Sequence, residues 1–151
     1  MPDGQPTTVQ VRILTAEDYD AVRALWEAAG LHIRPQGRDS REGFAAQIAS
    51  GCQTVIGLEA DGQLVGVALA TTDSRRGWIN RVAVHPDWRR RGLGLRLIAE
   101  CERVLRDELG LYVLAAHIET DNPASMALFE KAGYHRHDEV IYFSKRDSQE
   151  V

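Results

Sequence analysis

The chain has 151 residues, of which 44% are hydrophobic and 26% charged, enough for one sizeable core and too few to require a second domain. A formal net charge of -4 argues against general attraction to nucleic acid or to a membrane surface, and no apolar run approaches the ~18 residues of a membrane span. Cys52 and Cys101 are too few for a disulfide framework, and Met1-Pro-Asp-Gly-Gln lacks the charged-then-apolar start of a signal peptide, so the cytoplasm is the expected compartment.

Residues 1–7 are polar and read as a flexible tail, as do 147–151, with one domain spanning 1–151. Val9, Val11 and Ile13 alternate with polar neighbours, the period of a half-buried strand. Thr15-Ala-Glu-Asp18 has the form of a capping box, and Val22, Leu25, Trp26 and Ala29 follow at helical spacing up to Gly30. Leu31 to Arg41 is irregular, broken by Pro35 and Gly37, and Asp39 is placed to cap a further helix through Phe44 and Ile48. Thr54 to Glu59 and Leu64 to Thr71 are β-prone runs around Asp61-Gly62, which predicts a hairpin. A turn at Asp73–Gly77 leads into a strand from Trp78 to Val84. Leu97, Ile98, Cys101 and Leu105 then form the stripe of a helix running from Gly94 to Leu109, with Cys101 a buried small hydrophobe. A strand follows over Tyr112–Ile118. The next helix has Asn122 as its N-cap, Pro123 at its first position and Gly133 past its end, and a last strand covers Val140–Phe143. The order β-α-α-β-β-β-α-β-α-β predicts a mixed α/β (α+β) fold, without internal repeats.

The most informative stretch is Val84-His-Pro-Asp-Trp-Arg-Arg-Arg-Gly-Leu-Gly94, a basic, glycine-rich turn between a strand and a helix. Backbone N–H groups at a helix start, approached closely because of glycine, make a site for phosphate, and three arginines add positive charge. It is not a Walker loop, since no Gly-Lys-Ser/Thr follows. It is not Gly-x-Gly-x-x-Gly either, since Arg96 and Leu97 follow Gly94.

Arg89-Arg90-Arg91-Gly92-Leu93-Gly94 resembles the Gln/Arg-x-x-Gly-x-Gly/Ala signature of the GNAT superfamily of N-acetyltransferases. Asp121-Asn-Pro-Ala-Ser-Met-Ala-Leu-Phe-Glu-Lys-Ala-Gly-Tyr134 resembles that family's second element, and the likeness extends from about Arg12 to Lys145. The resemblance implies a central mixed, mostly antiparallel sheet flanked by helices, and acetyl-CoA as co-substrate with no metal. It implies that backbone groups of Val82, Ala83 and Val84 pair with the pantetheine arm. The turn from Arg89 to Leu95 would hold the pyrophosphate, and Asn122, Ser125 and Phe129 would lie along the donor. The partners implied are acetyl-CoA and a primary amine, of a small molecule or a protein; a homodimer is left open.

The proton-handling groups depart from the family pattern. Relatives often have Tyr where this chain has Phe129, which has no proton to give. They often carry a carboxylate on the central strand, where this chain has Trp78, Asn80 and Arg81. On an ideal strand Asn80 shares a face with Val82 and Val84, where it could orient water or substrate. Glu119, two residues after His117, and Tyr134 are the replacement candidates. For the acceptor, Trp26, His32, Arg34 and Arg38 belong to the first helix and the loop that in related folds forms one wall of the cleft, and arginine forks there suit a carboxylate or phosphate. The departures keep a non-catalytic CoA-binding or regulatory module as the alternative. A nucleotide-binding αβ domain is a weaker reading, because both nucleotide signatures are missing.

Overall fold

A computed structural model describes residues 7–151; all but Thr7 of the expected N-terminal tail lies outside them. Strand β1 (Gln10–Leu14) is followed by a short 3-10 turn and helix α1 (Tyr19–Ala28), then α2 (Arg41–Ala49). The capping box forms: the Thr15 side chain accepts from the Glu17 N–H, and the Thr15 N–H donates to the Asp18 carboxylate at 2.7 Å. Strands β2 (Gln53–Ala60) and β3 (Gln63–Thr72) join through Asp61 and Gly62, at φ 52° and 74°. Both left-handed angles fit the primed turn that Asp-Gly favours. Strand β4 (Gly77–Val84), helix α3 (Leu93–Glu102) with a π turn over Arg103–Glu108, a short β5 (Leu114–Ala115) and α4 (Pro123–Lys131) complete the order.

The sheet runs β1-β2-β3-β4-β5, antiparallel except for the parallel β4–β5 pair. One face packs on α3 and α4 through Ile56, Leu58, Ala68, Ala70, Ile79, Leu97, Ile98 and Phe129. The other packs on α1 and α2 through Leu14, Val22, Trp26, Phe44, Val67, Leu69 and Ala83. Small residues on β3 let α3 approach closely: a Cβ on Gly66 would lie 3.2 Å from Leu97 Cδ1. Cys101 lies in this core, and burial pushes its thiol up to about 12.

Two expected strands are corrected. The strand predicted over Tyr112–Ile118 is reduced to Leu114–Ala115, because β4 and β5 share only the pairs Gly77↔Leu114 and Trp78↔Ala115. Val140–Phe143 is not a strand, and Phe143 is 86% exposed. Four β-prone residues need a partner edge, and so short a ladder at β5 does not extend one. Instead, Tyr142 stacks on His117 with ring centroids 4.9 Å apart.

The α3 contact is the larger part of this core. Replacing fully buried Leu97 with Ala is expected to cost about 2–5 kcal/mol in urea unfolding. Ile13→Ala, at a 48% exposed site, should cost under about 1 kcal/mol. Equal effects would contradict this placement of the core.

Candidate active site

Strand β4 carries the site because its pairing is broken in two places. Beyond Trp78 it has lost β5, so from Ile79 to Val84 it pairs only with β3 among the described residues. Its register with β3 also shifts, Leu69 facing Asn80 while Val67 faces Ala83, which leaves Arg81 and Val82 opposite Ala68. Arg81 sits at φ 54°, a left-handed conformation that costs a long side chain on the order of 1 kcal/mol.

The bulge reverses the faces. Ile79 packs on the α3 side, yet Val82 and Val84 also pack there, while Ala83 packs on the α1 side. Asn80 pairs with Leu69 on the α1 side and donates from its amide to Thr71 Oγ1 at 3.1 Å. The ideal-strand expectation that Asn80 shares a face with Val82 and Val84 is therefore wrong, because one extra residue shifts the two-residue period.

At the end of β4 the chain turns through Pro86–Trp88 into Arg89-Arg90-Arg91-Gly92. Arg90 is left-handed at φ 62°, and Gly92, the N-cap of α3, is at φ 76°. Glycine provides that angle without strain and has no side chain to cap the helix. The first-turn N–H groups of Leu93, Gly94 and Leu95 are thus left open to an anion. Arg89, Arg90 and Arg91 are exposed around them, and the Arg91 guanidinium lies 4.4 Å from the Trp88 ring centroid. Gly94 has a different purpose: a Cβ there would meet Leu128 Cδ2 of α4 at 2.9 Å. It lets two helices approach, whereas Gly92 shapes the anion turn. At the start of α4, Asn122 accepts from the Ser125 N–H at 3.1 Å, which leaves its amide N–H groups unused.

Open N–H donors, surrounding guanidinium groups and an unpaired strand edge leading to them fit a ligand with a pyrophosphate and an amide-bearing arm. The family comparison agrees with this geometry. Residues 18–134 match the acetyltransferase (GNAT) family, and the chain belongs to that family. It is an acetyl-CoA-dependent acetyltransferase. An acetyltransferase of Photorhabdus laumondii, plu1384, is 30% identical over 139 residues, covering 91% of this chain and 95% of the relative. Among solved structures, aminoglycoside acetyltransferase AAC(6')-Iy bound to a CoA bisubstrate analogue superposes with a TM-score of 0.75 at 20% identity, over 93% of this chain and 99% of that one. A ribosomal-protein-alanine N-acetyltransferase of Brucella melitensis gives 0.72 at 18%, covering 92% and 99%. At those identities the structures share the fold.

The remaining sequence candidates are dispersed. Phe129 is buried, edge-on to Tyr134 with ring centroids 5.1 Å apart. The Tyr134 hydroxyl donates to Glu102 at 3.3 Å, and burial together with that carboxylate raises its pKa. Glu119 is exposed where the chain passes from β5 to α4, and its backbone carbonyl accepts from the Asn122 N–H at 3.0 Å. His117 is stacked between Trp78 and Tyr142. Trp26 is 1% exposed, so it cannot touch an acceptor and is corrected to a core residue. His32 and Arg38 are exposed and Arg34 is half-buried on the loop between α1 and α2. Arg38 lines a shallow cavity of about 300 Å³ with Lys145, Arg146 and Asp147 of the C-terminal segment, and Arg34 one of about 510 Å³ with Arg146 and Ser148.

Asp39 does not cap α2; the Ser40 hydroxyl accepts from the Gly43 N–H instead, at 3.0 Å. Asp39 is 6% exposed and pairs with Arg81 at 2.6 Å. Sequence reasoning missed this pair. The available signals were one carboxylate in a loop that carries Arg34 and Arg38, and one arginine inside an otherwise uncharged strand.

Gly92 gives a clean test of the anion turn. Gly92→Asp and Gly92→Asn are nearly isosteric, and both residues tolerate a left-handed angle, so they differ mainly in charge. Gly92→Asp is expected to weaken CoA binding at least about tenfold more than Gly92→Asn, measured by calorimetry with CoA, with similar melting temperatures. Equal affinities would place the pyrophosphate elsewhere.

Proposed function

We propose that this acetyltransferase acetylates, in the cytoplasm, a primary amine whose carrier also bears a carboxylate or phosphate. The observation that carries this reading is the juxtaposition at β4. One end of the strand leads to the open N-terminus of α3. Its bulge is joined through Arg81 to the loop that carries Arg34 and Arg38. Donor and acceptor surfaces thus share one strand. Acetyl-CoA, when bound, supplies an acetyl thioester open to attack by a neutral amine.

The residues of this chain have three tasks. The α3 N-terminus and Arg89–Arg91 hold the donor's phosphates, and the free edge of β4 over Val82–Val84 orients its arm by backbone hydrogen bonding. Arg34 and Arg38 hold the acceptor's anionic group, which sets the amine at one distance from the strand. The amine's proton must then leave. Phe129 has no acidic proton, Asn80 cannot act as a base and is bonded to Thr71, and the Tyr134 hydroxyl is bonded to Glu102. Glu119, an exposed carboxylate where the chain leaves β5, is the remaining candidate, so we assign it acceptance of the amine's proton through water; the C–S bond breaks as the C–N bond forms, and the departing CoA thiolate takes a proton from solvent.

Thiol release from acetyl-CoA with paired acceptors tests the anionic preference. L-Lysine should be turned over with a kcat/KM at least about tenfold above that of L-lysinamide, and Arg38→Ala should remove most of the difference, in line with loss of a desolvated ion pair. A preference for the amide, or for polyamines, would reject it. For the proton, Glu119→Gln should lower kcat about 10²-fold, as expected of a true base, while Tyr134→Phe changes it less than about threefold. Full activity in Glu119→Gln would leave bulk solvent as the acceptor, and a large loss only in Tyr134→Phe would restore the tyrosine.

A further inference from the structure

We infer that Arg81, through its buried pair with Asp39, is a positioning residue that locks the acceptor loop against β4. The proposal starts from an arginine in a place unsuited to one. Arg81 occupies the bulge in a left-handed conformation, its side chain is only 14% exposed, and the neighbouring face is the α1-side core. A guanidinium is kept there only if its donors are met.

Both hydrogen bonds that the Arg81 guanidinium makes among the described residues go to one loop. Nη2 donates to Asp39 Oδ2 at 2.6 Å, and Nη1 donates to the backbone carbonyl of His32. The same Asp39 oxygen accepts from the Arg34 N–H at 2.6 Å, and the Asp39 N–H donates to the Arg34 carbonyl at 3.0 Å. The Asp39 carbonyl accepts from the Tyr19 hydroxyl at 2.6 Å. One carboxylate therefore closes the turn from Arg34 to Asp39 on itself, while Arg81 ties Asp39, at the end of that turn, and His32, two residues before its start, to the strand. Below the guanidinium lies the Trp26 ring, with its centroid 5.3 Å from Cζ. The Trp26 Nε1–H is buried without a hydrogen-bond partner.

Charge gives the arrangement its direction. Burial lowers the Arg81 pKa most; Asp39 opposes that shift, while Arg38 and Arg34 add to it. The Asp39 carboxylate is bonded to Arg81 and to the Arg34 N–H, so it is committed to the clasp. Among the described residues neither Arg34 nor Arg38 is in a salt bridge, and both charges act on the Arg81 guanidinium. Arg81 precedes Val82, so the loop is indexed to the residue at which the donor strand begins. The clasp rests on the acceptor reading above only for its effect on acceptor affinity; its hold on the loop stands independently.

The test uses the full chain and three variants. Arg81→Met keeps the volume without the charge. Asp39→Asn keeps an oxygen for the Arg34 N–H, and Arg81→Lys keeps the charge without the two-point reach. Amide hydrogen exchange over residues 31–41 is expected to rise at least about tenfold in Arg81→Met and Asp39→Asn, with less effect in Arg81→Lys and no change over 93–102. CoA affinity by calorimetry should stay within about twofold, whereas the KM for L-lysine rises about tenfold or more with kcat nearly constant. Native-like loop exchange in Arg81→Met overturns the proposal, and so does a rise shared equally by 93–102. If Arg81→Met does not fold, the exchange patterns of Arg81→Lys and Asp39→Asn decide. If the native enzyme turns over neither L-lysine nor L-lysinamide, the acceptor reading fails, and the exchange data still decide the clasp.

Discussion

The bulge at Arg81–Val82 in β4 is the constraint on which the site depends. An extra residue in one strand bends it and increases its twist. Here that bend accompanies the parting of β4 from β5 after only two paired residues. The parting exposes a strand edge that an ordinary sheet interior would hide. The same extra residue swaps the faces, so Val82 and Val84 stay packed on the α3 side while Arg81 is carried to the α1 side. One irregularity thus leaves an edge of β4 free and sends an arginine toward the loop between α1 and α2, the two features on which the proposed donor and acceptor sites rest.

The two glycines of the signature show how a short motif divides its labour. Gly92 stands at a positive φ with open space around it, so its requirement is conformational. Gly94 has no such angle, and its missing Cβ makes room for Leu128 of α4. The first makes a helix start with no capping side chain; the second fixes that start relative to α4, whose N-cap is Asn122. Three exposed arginines add charge, but a helix terminus without a capping side chain is the part that fixes direction.

Much of this was legible because its causes are local. The capping box at Thr15, the hairpin at Asp61-Gly62, and the Asn122, Pro123 and Gly133 punctuation of α4 each depend on residues within a few positions of one another, and each forms as read. The turn between β4 and α3, with Gly92 at a positive φ before the helix, was legible for the same reason. What escaped was non-local. Asp39 and Arg81 lie 42 positions apart, and nothing near Asp39 distinguishes a helix cap from half of a buried pair. The bulge escaped because a strand's period can be read only if no residue is extra. Val140–Phe143 has strand propensity, but propensity does not provide a partner edge, and the chain there stays exposed. The position of Trp26 before the loop suggests a substrate contact, whereas its 1% exposure makes it the floor under Arg81.

Titration of the isotope-labelled protein with CoA, followed by amide chemical shifts, tests most directly whether β4 and the α3 N-terminus together form the donor site. The largest shifts are expected at Val82, Val84, Gly92, Leu93, Gly94 and Leu95, with residues 31–41 nearly still. Largest shifts within 31–41, or none along β4, would contradict the division of one strand between donor and acceptor.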